Sequence, residues 1–216
     1  MILQMPPSQK IIYPDDNGQP ISNNTEQFDW IVMIKENLEC LFAKDANVFV
    51  AGDLLWYPIE GDNVTCTAPD AMVVIGRPKG RRGSYMQWVE DGIAPQVVFE
   101  ILSPSNRASE MAKKLKFYDR YGVEEYYLYD PSRIDLTGWQ RIGNELDVIE
   151  AMDDWVSSRL GIRFDMSSEQ LKLYFPDGRE FTSLKDASAQ LQREKQRADR
   201  LAQRLRELGI EDEFEN

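Results

Sequence analysis

The sequence predicts an α/β sandwich with a mixed sheet. Two observations carry this: a helix-period stretch opens the domain and is followed by short β-rich runs, and a second helix-period stretch then separates the third strand from a fourth.

Residues 1–22 are polar, contain proline and lack a period, and they read as an N-terminal arm ahead of a domain at 23–182. Asn24 with Gln27 resembles a capping box, and Phe28, Ile31, Val32, Leu38, Leu41 and Phe42 follow at helical spacing, predicting a helix over 25–42. Residues 47–57 (NVFVAGDLLWY) are rich in β-formers and stop at Pro58, with turn chemistry at Gly61-Asp62-Asn63. A second strand over 68–75 is entered through Pro69-Asp70, and a loop over 77–87 leads to the third, Val97-Val98-Phe99-Glu100-Ile101-Leu102-Ser103-Pro104. Ser105 or Asn106 is placed to cap a helix over 107–121, and Gly122 to end it. A fourth strand covers 125–129 and stops at Asp130-Pro131. Further strand-like pieces lie at 136–141 and 171–175, with a hairpin turn at Asp177-Gly178.

From Ser183 the character changes. Leu184, Leu191, Ala198 and Leu205 fall at seven-residue intervals, with Ala187, Glu194, Leu201 and Leu208 in the complementary position, among many charged residues. Residues 183–216 are thus expected to be a charged helix and an acidic tail, the helix serving either a coiled-coil contact or packing on its own domain.

Composition narrows the chemistry. With no histidine, Ser-His-Asp triads, Cys-His nucleophiles and histidine-base mechanisms are excluded. Cys40 and Cys66 form no CxxC pair, and no signal peptide or membrane span is readable, so a reduced, cytoplasmic protein is expected. A net charge of −12 argues against nucleic acid as a bulk figure, but the distribution of cations matters more than their sum.

Glu100 stands alone in an otherwise apolar strand. A carboxylate removed from water needs a cation, a metal or a proton beside it. Asp70 enters the neighbouring strand, and adjacent strands lie about 4.8 Å apart, where two carboxylates repel unless a hard cation such as Mg²⁺ binds both. The alternative is that Asp70 only starts a turn and Glu100 pairs with a core Lys or Arg. In the following helix, at about 100° per residue from Met111, Leu115 falls at about 40°, Tyr118 at about 340° and Tyr121 at about 280°, which defines the buried stripe. Lys114 falls inside it at about 300°, whereas Lys113 and Lys116 fall on the opposite face. Lys114 is either an active-site ammonium or half of an i,i+4 pair with Glu110. Asp53, in Gly52-Asp53-Leu54, reads first as a turn residue. Arg77, Lys79, Arg81 and Arg82, with Tyr85 and Trp88 behind them, suit phosphate contacts and stacking, or else a solvated loop.

Pro69-Asp70, then a Glu in an apolar strand, then a Lys resembles the PD-(D/E)XK, or restriction-endonuclease-like, superfamily. The string FEILSPSNRASEMAKKLKFYDRYGVEEYYLYDP, at 99–131, is similar to the signature of the Uma-two-type restriction endonucleases of bacteria. The resemblance implies a restriction-endonuclease-like mixed sheet flanked by helices and Mg²⁺-dependent phosphodiester hydrolysis, with Mn²⁺ as a substitute. Asp70 and Glu100 match the two motif acids. Leu102 stands where the motif lysine belongs, and Lys114 matches the lysine that replaces it from the next helix. Glu110 takes a place usually held by an acid. The expectation is therefore an endonuclease acting on DNA. Asp70, Glu100 and the Ile101 carbonyl would hold the metal, with Asp53 and Glu110 as accessories, and a homodimer would form through the C-terminal helix. The rivals are a catalytically silent binding or assembly module and a hydrolase of small phosphoesters.

Overall fold

The computed structural model describes residues 11–16, 18, 20 and 22–207. The 1–22 arm therefore lies partly outside the described residues, as do Leu208 of the heptad pattern and the acidic tail. The chain divides into two compact units, Met1–Phe181 and Thr182–Asn216.

The first unit is organised on a six-stranded sheet in the order β1-β3-β5-β6-β7-β8. Its strands are β1 (Val48–Ala51), β3 (Ala71–Ile75), β5 (Val97–Ile101), β6 (Glu125–Asp130), β7 (Asp135–Ile142) and β8 (Glu145–Val148). β5 and β6 are parallel and joined through α2 (Ala108–Arg120), while the other neighbours are antiparallel. The sheet is mixed because only the helical crossover can return the chain in the same direction. Two small pairs stand outside it: β2 (Trp56–Tyr57) with β4 (Tyr85–Met86), and β9 (Arg163–Asp165) with β10 (Lys172–Tyr174).

Both faces of the central strands are covered, which is why β5 reads as a continuous buried run. One face carries Val73, Val97, Phe99, Ile101 and Tyr127 against Ile31, Ile34 and Leu38 of α1 (Thr25–Leu41) and Phe164 and Leu173 of β9 and β10. The other carries Met72, Val74, Val98 and Tyr126 against Tyr118 and Leu115 of α2 and Trp56 of β2. Asp70 and Glu100 share the parity of Met72 and Val98, so both belong to the α2 side.

Several expectations are corrected in detail. The single strand expected over 47–57 is two, β1 and β2, because Asp53 takes a left-handed backbone (φ 48°) and turns the chain between them. Asn106 does not cap α2: its Oδ1 accepts the Ser103 N–H, and Arg107 occupies the cap position with no side-chain cap bond. Asn24 does cap α1, accepting the Gln27 N–H at 2.8 Å. Gly122 follows the end of α2 with φ 92°, a conformation that costs a Cβ-bearing residue free energy. β8 and β9 went unread because both are short and half-polar.

One further buried carboxylate is structural. Glu125 accepts hydrogen bonds from the Tyr127, Ser157 and Ser158 hydroxyls and the Arg159 N–H, tying the start of β6 to the loop before β9. Gly138, beside Tyr127 in the sheet, is closely covered: a Cβ there would meet Met152 Sδ at 2.5 Å and Ile149 Cδ1 at 2.9 Å, so those side-chain ends would have to shift. Gly138→Ala is expected to cost about 1–3 kcal/mol, read as a lower midpoint in urea with an unchanged slope.

The second unit is one helix, α3 (Leu184–Glu207), capped by Ser183, whose Oγ accepts the Asp186 N–H and donates to Asp186 Oδ2. Among the described residues no helix is long and apolar enough to cross a membrane.

Candidate active site

The site lies where β3 begins and β5 ends. The β3–β5 register pairs Ala71 with Phe99, so one step further sets Asp70 opposite Glu100. Asp70 Oδ2 accepts the Ile101 N–H at 2.6 Å, extending the ladder beyond the last backbone pair. Glu100 is 2% exposed. Lys114, projecting from α2, donates to Glu100 Oε1 at 2.8 Å and Oε2 at 2.7 Å, and the fully buried Tyr118 hydroxyl also donates to Oε1. The i,i+4 pair between Lys114 and Glu110 does not form, since Lys114 turns inward to Glu100 while Glu110 stays exposed at the rim, beside Asn106. Lys113 and Lys116 are exposed.

Two residues belong to this site that the sequence did not single out. Gln27 of α1 donates its amide to the Ile101 carbonyl at 2.7 Å, and its Oε1 accepts the Asn23 N–H. The signal was a polar side chain on the stripe that continues through Ile31, Ile34 and Leu38. Tyr118 read simply as core, and its position one turn after Lys114 was the available hint.

A cavity of about 340 Å³ opens beside these groups, lined among others by Gln27, Asp53, Asp70, Glu100, Glu110 and Lys114. Asp53 reaches it from the turn after β1, and its N–H donates to the Pro69 carbonyl, which fixes that turn to the Pro-Asp dipeptide. Burial raises the Asp53 carboxyl, with Lys114 opposing and Glu100 adding to the rise. For Asp70, burial and then the Glu100 charge push the carboxyl well above its ordinary range, more strongly than Lys114 and the Ile101 N–H hold it down. For Lys114, burial would lower the ammonium, but Glu100, Asp70 and the hydrogen bonds to Glu100 outweigh it and the net shift is upward. Lys114 is thus a fixed cation at neutral pH, not a free base.

A Glu–Lys pair alone is also what a structural ion pair looks like. What differs here is a second buried carboxylate, Asp70, with an open cavity beside the pair. Among the described residues no three acidic, thiol or imidazole groups converge to hold an ion by themselves, so two carboxylates and a carbonyl are the donor set available. That set fits a hard dication. All donors are oxygens. Asp70 Oδ1 takes no hydrogen bond among the described residues, and Glu100 Oε2 and the Ile101 carbonyl each accept only one, so each keeps a lone pair.

The four loop cations are elsewhere. Arg77 and Arg82 both bind the buried Glu90, Arg82 stacks on Phe49 at 3.9 Å, and Arg77 also pairs with Asp91. Lys79 donates to the Phe42 carbonyl, and Arg81 is exposed. None of the four lines the cavity. The loop reads as basic in sequence because its partner acids lie about ten residues further on.

A mixed sheet with two acids across neighbouring strands and a lysine from the crossover helix defines the class: an α/β protein with a buried carboxylate pair and a lysine on one cavity. Residues 2–173 match the Uma2 family, described as "Putative restriction endonuclease", and the chain belongs to that family. Among solved structures, the chain is similar to one described as a "putative nuclease belonging to DUF820" from Anabaena variabilis. That likeness has 18% identity and a TM-score of 0.47, over 62% of this chain and 72% of the other. A search of curated proteins returned no match.

Proposed function

We propose that this chain is a Mg²⁺-dependent endonuclease that hydrolyses phosphodiester bonds of DNA. Family membership supports a nuclease. The single observation that carries the finer reading is the pairing of Asp70 and Glu100 across β3 and β5 beside Lys114, on an open cavity.

Asp70, Glu100 and the Ile101 carbonyl would hold the metal. Bound there, a divalent ion supplies polarisation of the scissile phosphate and a lowered pKa for a coordinated water. The chain's own groups do the rest. Gln27 and the Ile101 N–H bond to Asp70 fix the end of β5, so that the Ile101 carbonyl and the Glu100 side chain keep one orientation. Tyr118 holds the Glu100 rotamer. Lys114, kept protonated by the two acids, orients water at the cavity wall and stabilises negative charge developing on phosphate oxygens.

The test is plasmid cleavage with Mg²⁺ or Mn²⁺ and with chelator. Lys114→Gln is expected to lower the rate by about 100-fold or more, while Lys113→Ala, on the exposed face, keeps it within about twofold. If wild type bound Mg²⁺ yet cleaved no nucleic acid, the silent-module reading would replace this one. If it cleaved only small phosphoesters, without competition from duplex DNA, the third reading would stand.

A further inference from the structure

We infer that α3 carries its own binding face for the phosphate backbone of duplex DNA, formed by Arg193, Arg197, Arg200 and Arg204. This rests on the nucleic-acid reading above and assigns substrate contact to a part of the chain outside the cavity.

The four arginines are spaced i, i+4, i+7 and i+11. At about 100° per residue they fall within a stripe about 60° wide, and at about 1.5 Å per residue they span about 16 Å of helix. The apolar seam through Leu191, Ala198, Leu201 and Leu205 is centred about 120° away; Arg197 and Arg204 stand beside it, whereas Arg193 and Arg200 lie further round the helix. All four are exposed, and among the described residues none is in an ion pair. The acids nearest the stripe are otherwise engaged: Asp186 binds Ser183, and Glu207 accepts the Gln203 amide. Asp199 lies on another face, and Glu194, three residues before Arg197, forms no ion pair with it among the described residues.

Such a row opposes helix formation, because like charges at i,i+3 and i,i+4 repel. A polyanion removes that cost. The choice of residue is specific as well: the stripe is entirely arginine, whose planar fork matches phosphate, whereas Lys185 and Lys195 of the same helix lie off it. The contrast in charge is sharp, with six cations and two acids in residues 193–206 of a chain whose net charge is −12. The four loop cations near β4 are mostly bound to protein acceptors, so α3 offers the densest free positive surface among the described residues.

The experiment uses the full chain without metal, titrated against a short fluorescent duplex DNA over a range of salt. Replacing the four arginines together with Gln preserves helix propensity, which circular dichroism checks. The variant is expected to bind at least about tenfold more weakly at low salt, and its slope of log K against log salt should be less negative by up to about 3.6. Lys185→Gln with Lys195→Gln should change the slope much less. An unchanged affinity and slope in the arginine variant would overturn the inference. So would a wild type that binds no DNA but self-associates through the stripe, because the occupant is then an acidic protein face. Plasmid cleavage separates the two proposals. Stripe-dependent DNA binding without Mg²⁺-dependent cleavage removes the nuclease reading and leaves this one, whereas cleavage with the same KM in the variant does the reverse.

Discussion

Glu100→Gln is expected to abolish Mg²⁺-dependent cleavage, by about 100- to 1000-fold, while leaving the protein folded; Glu100→Ala is expected to lose both activity and stability. The two differ because of what Glu100 touches. Its carboxylate is the acceptor for the Lys114 ammonium and the fully buried Tyr118 hydroxyl. Alanine removes all of these acceptors at once, leaving a largely buried charge and a buried hydroxyl without partners. Truncating one side of such a pair costs about 3–5 kcal/mol, and for a chain of this length each kcal/mol moves Tm by about 2–4 °C. Glutamine keeps one oxygen for Lys114 and Tyr118 but removes the charge that a dication needs. Thermal melts with and without Mg²⁺ check this. Wild type should gain Tm with metal, the glutamine variant should start near the wild-type Tm and gain none, and the alanine variant should start well below both. A glutamine variant that is still stabilised by Mg²⁺ would show that the metal is held elsewhere.

How much of this was legible follows from range. The strands and helices announce themselves through local pattern, and the buried stripe of α2 was enough to separate Lys114 from Lys113 and Lys116. The pairing of Asp70 with Glu100 depended on β3 and β5 being neighbours, which their succession in the sequence reading made the natural expectation. Gln27 was legible only as a capping residue, because its contact with the Ile101 carbonyl crosses 74 positions of sequence. Tyr118 was legible only as an aromatic on the core stripe, because nothing in a sequence says where a hydroxyl points. Arg77 and Arg82 looked free because the buried acid that binds them, Glu90, lies beyond the short strand β4. The turn at Asp53 was legible from Gly52-Asp53, but not that it would split the run of β-formers into two strands, since aspartate also tolerates the left-handed backbone that does so.

Asp70→Asn is expected to destroy metal binding and cleavage while making the metal-free protein more stable at neutral pH. Burial and the neighbouring Glu100 raise the Asp70 carboxyl well above its ordinary value, so the folded chain holds that proton more tightly than the unfolded one. A group shifted upward contributes stability that is fully present below its unfolded pKa, near 3.8, and is lost as the pH rises through the folded value. Above that range wild type carries an anion buried beside a second anion with one ammonium nearby. Asparagine is neutral at every pH, its oxygen can still accept the Ile101 N–H, and its amide can donate toward Glu100. The variant should therefore melt a few degrees above wild type at neutral pH without metal, and the gap should close as the pH falls and wild-type Asp70 protonates. Saturating Mg²⁺ should reverse the order by stabilising wild type alone. The same proton competes with the metal, so wild-type affinity for Mg²⁺ should rise with pH across the raised Asp70 range. Melting curves at several pH values, with and without Mg²⁺, check all of this. If the asparagine variant is the less stable protein at neutral pH without metal, Asp70 is a structural acid whose role is the Ile101 bond, and the strained carboxylate pair at the centre of the proposed site does not exist.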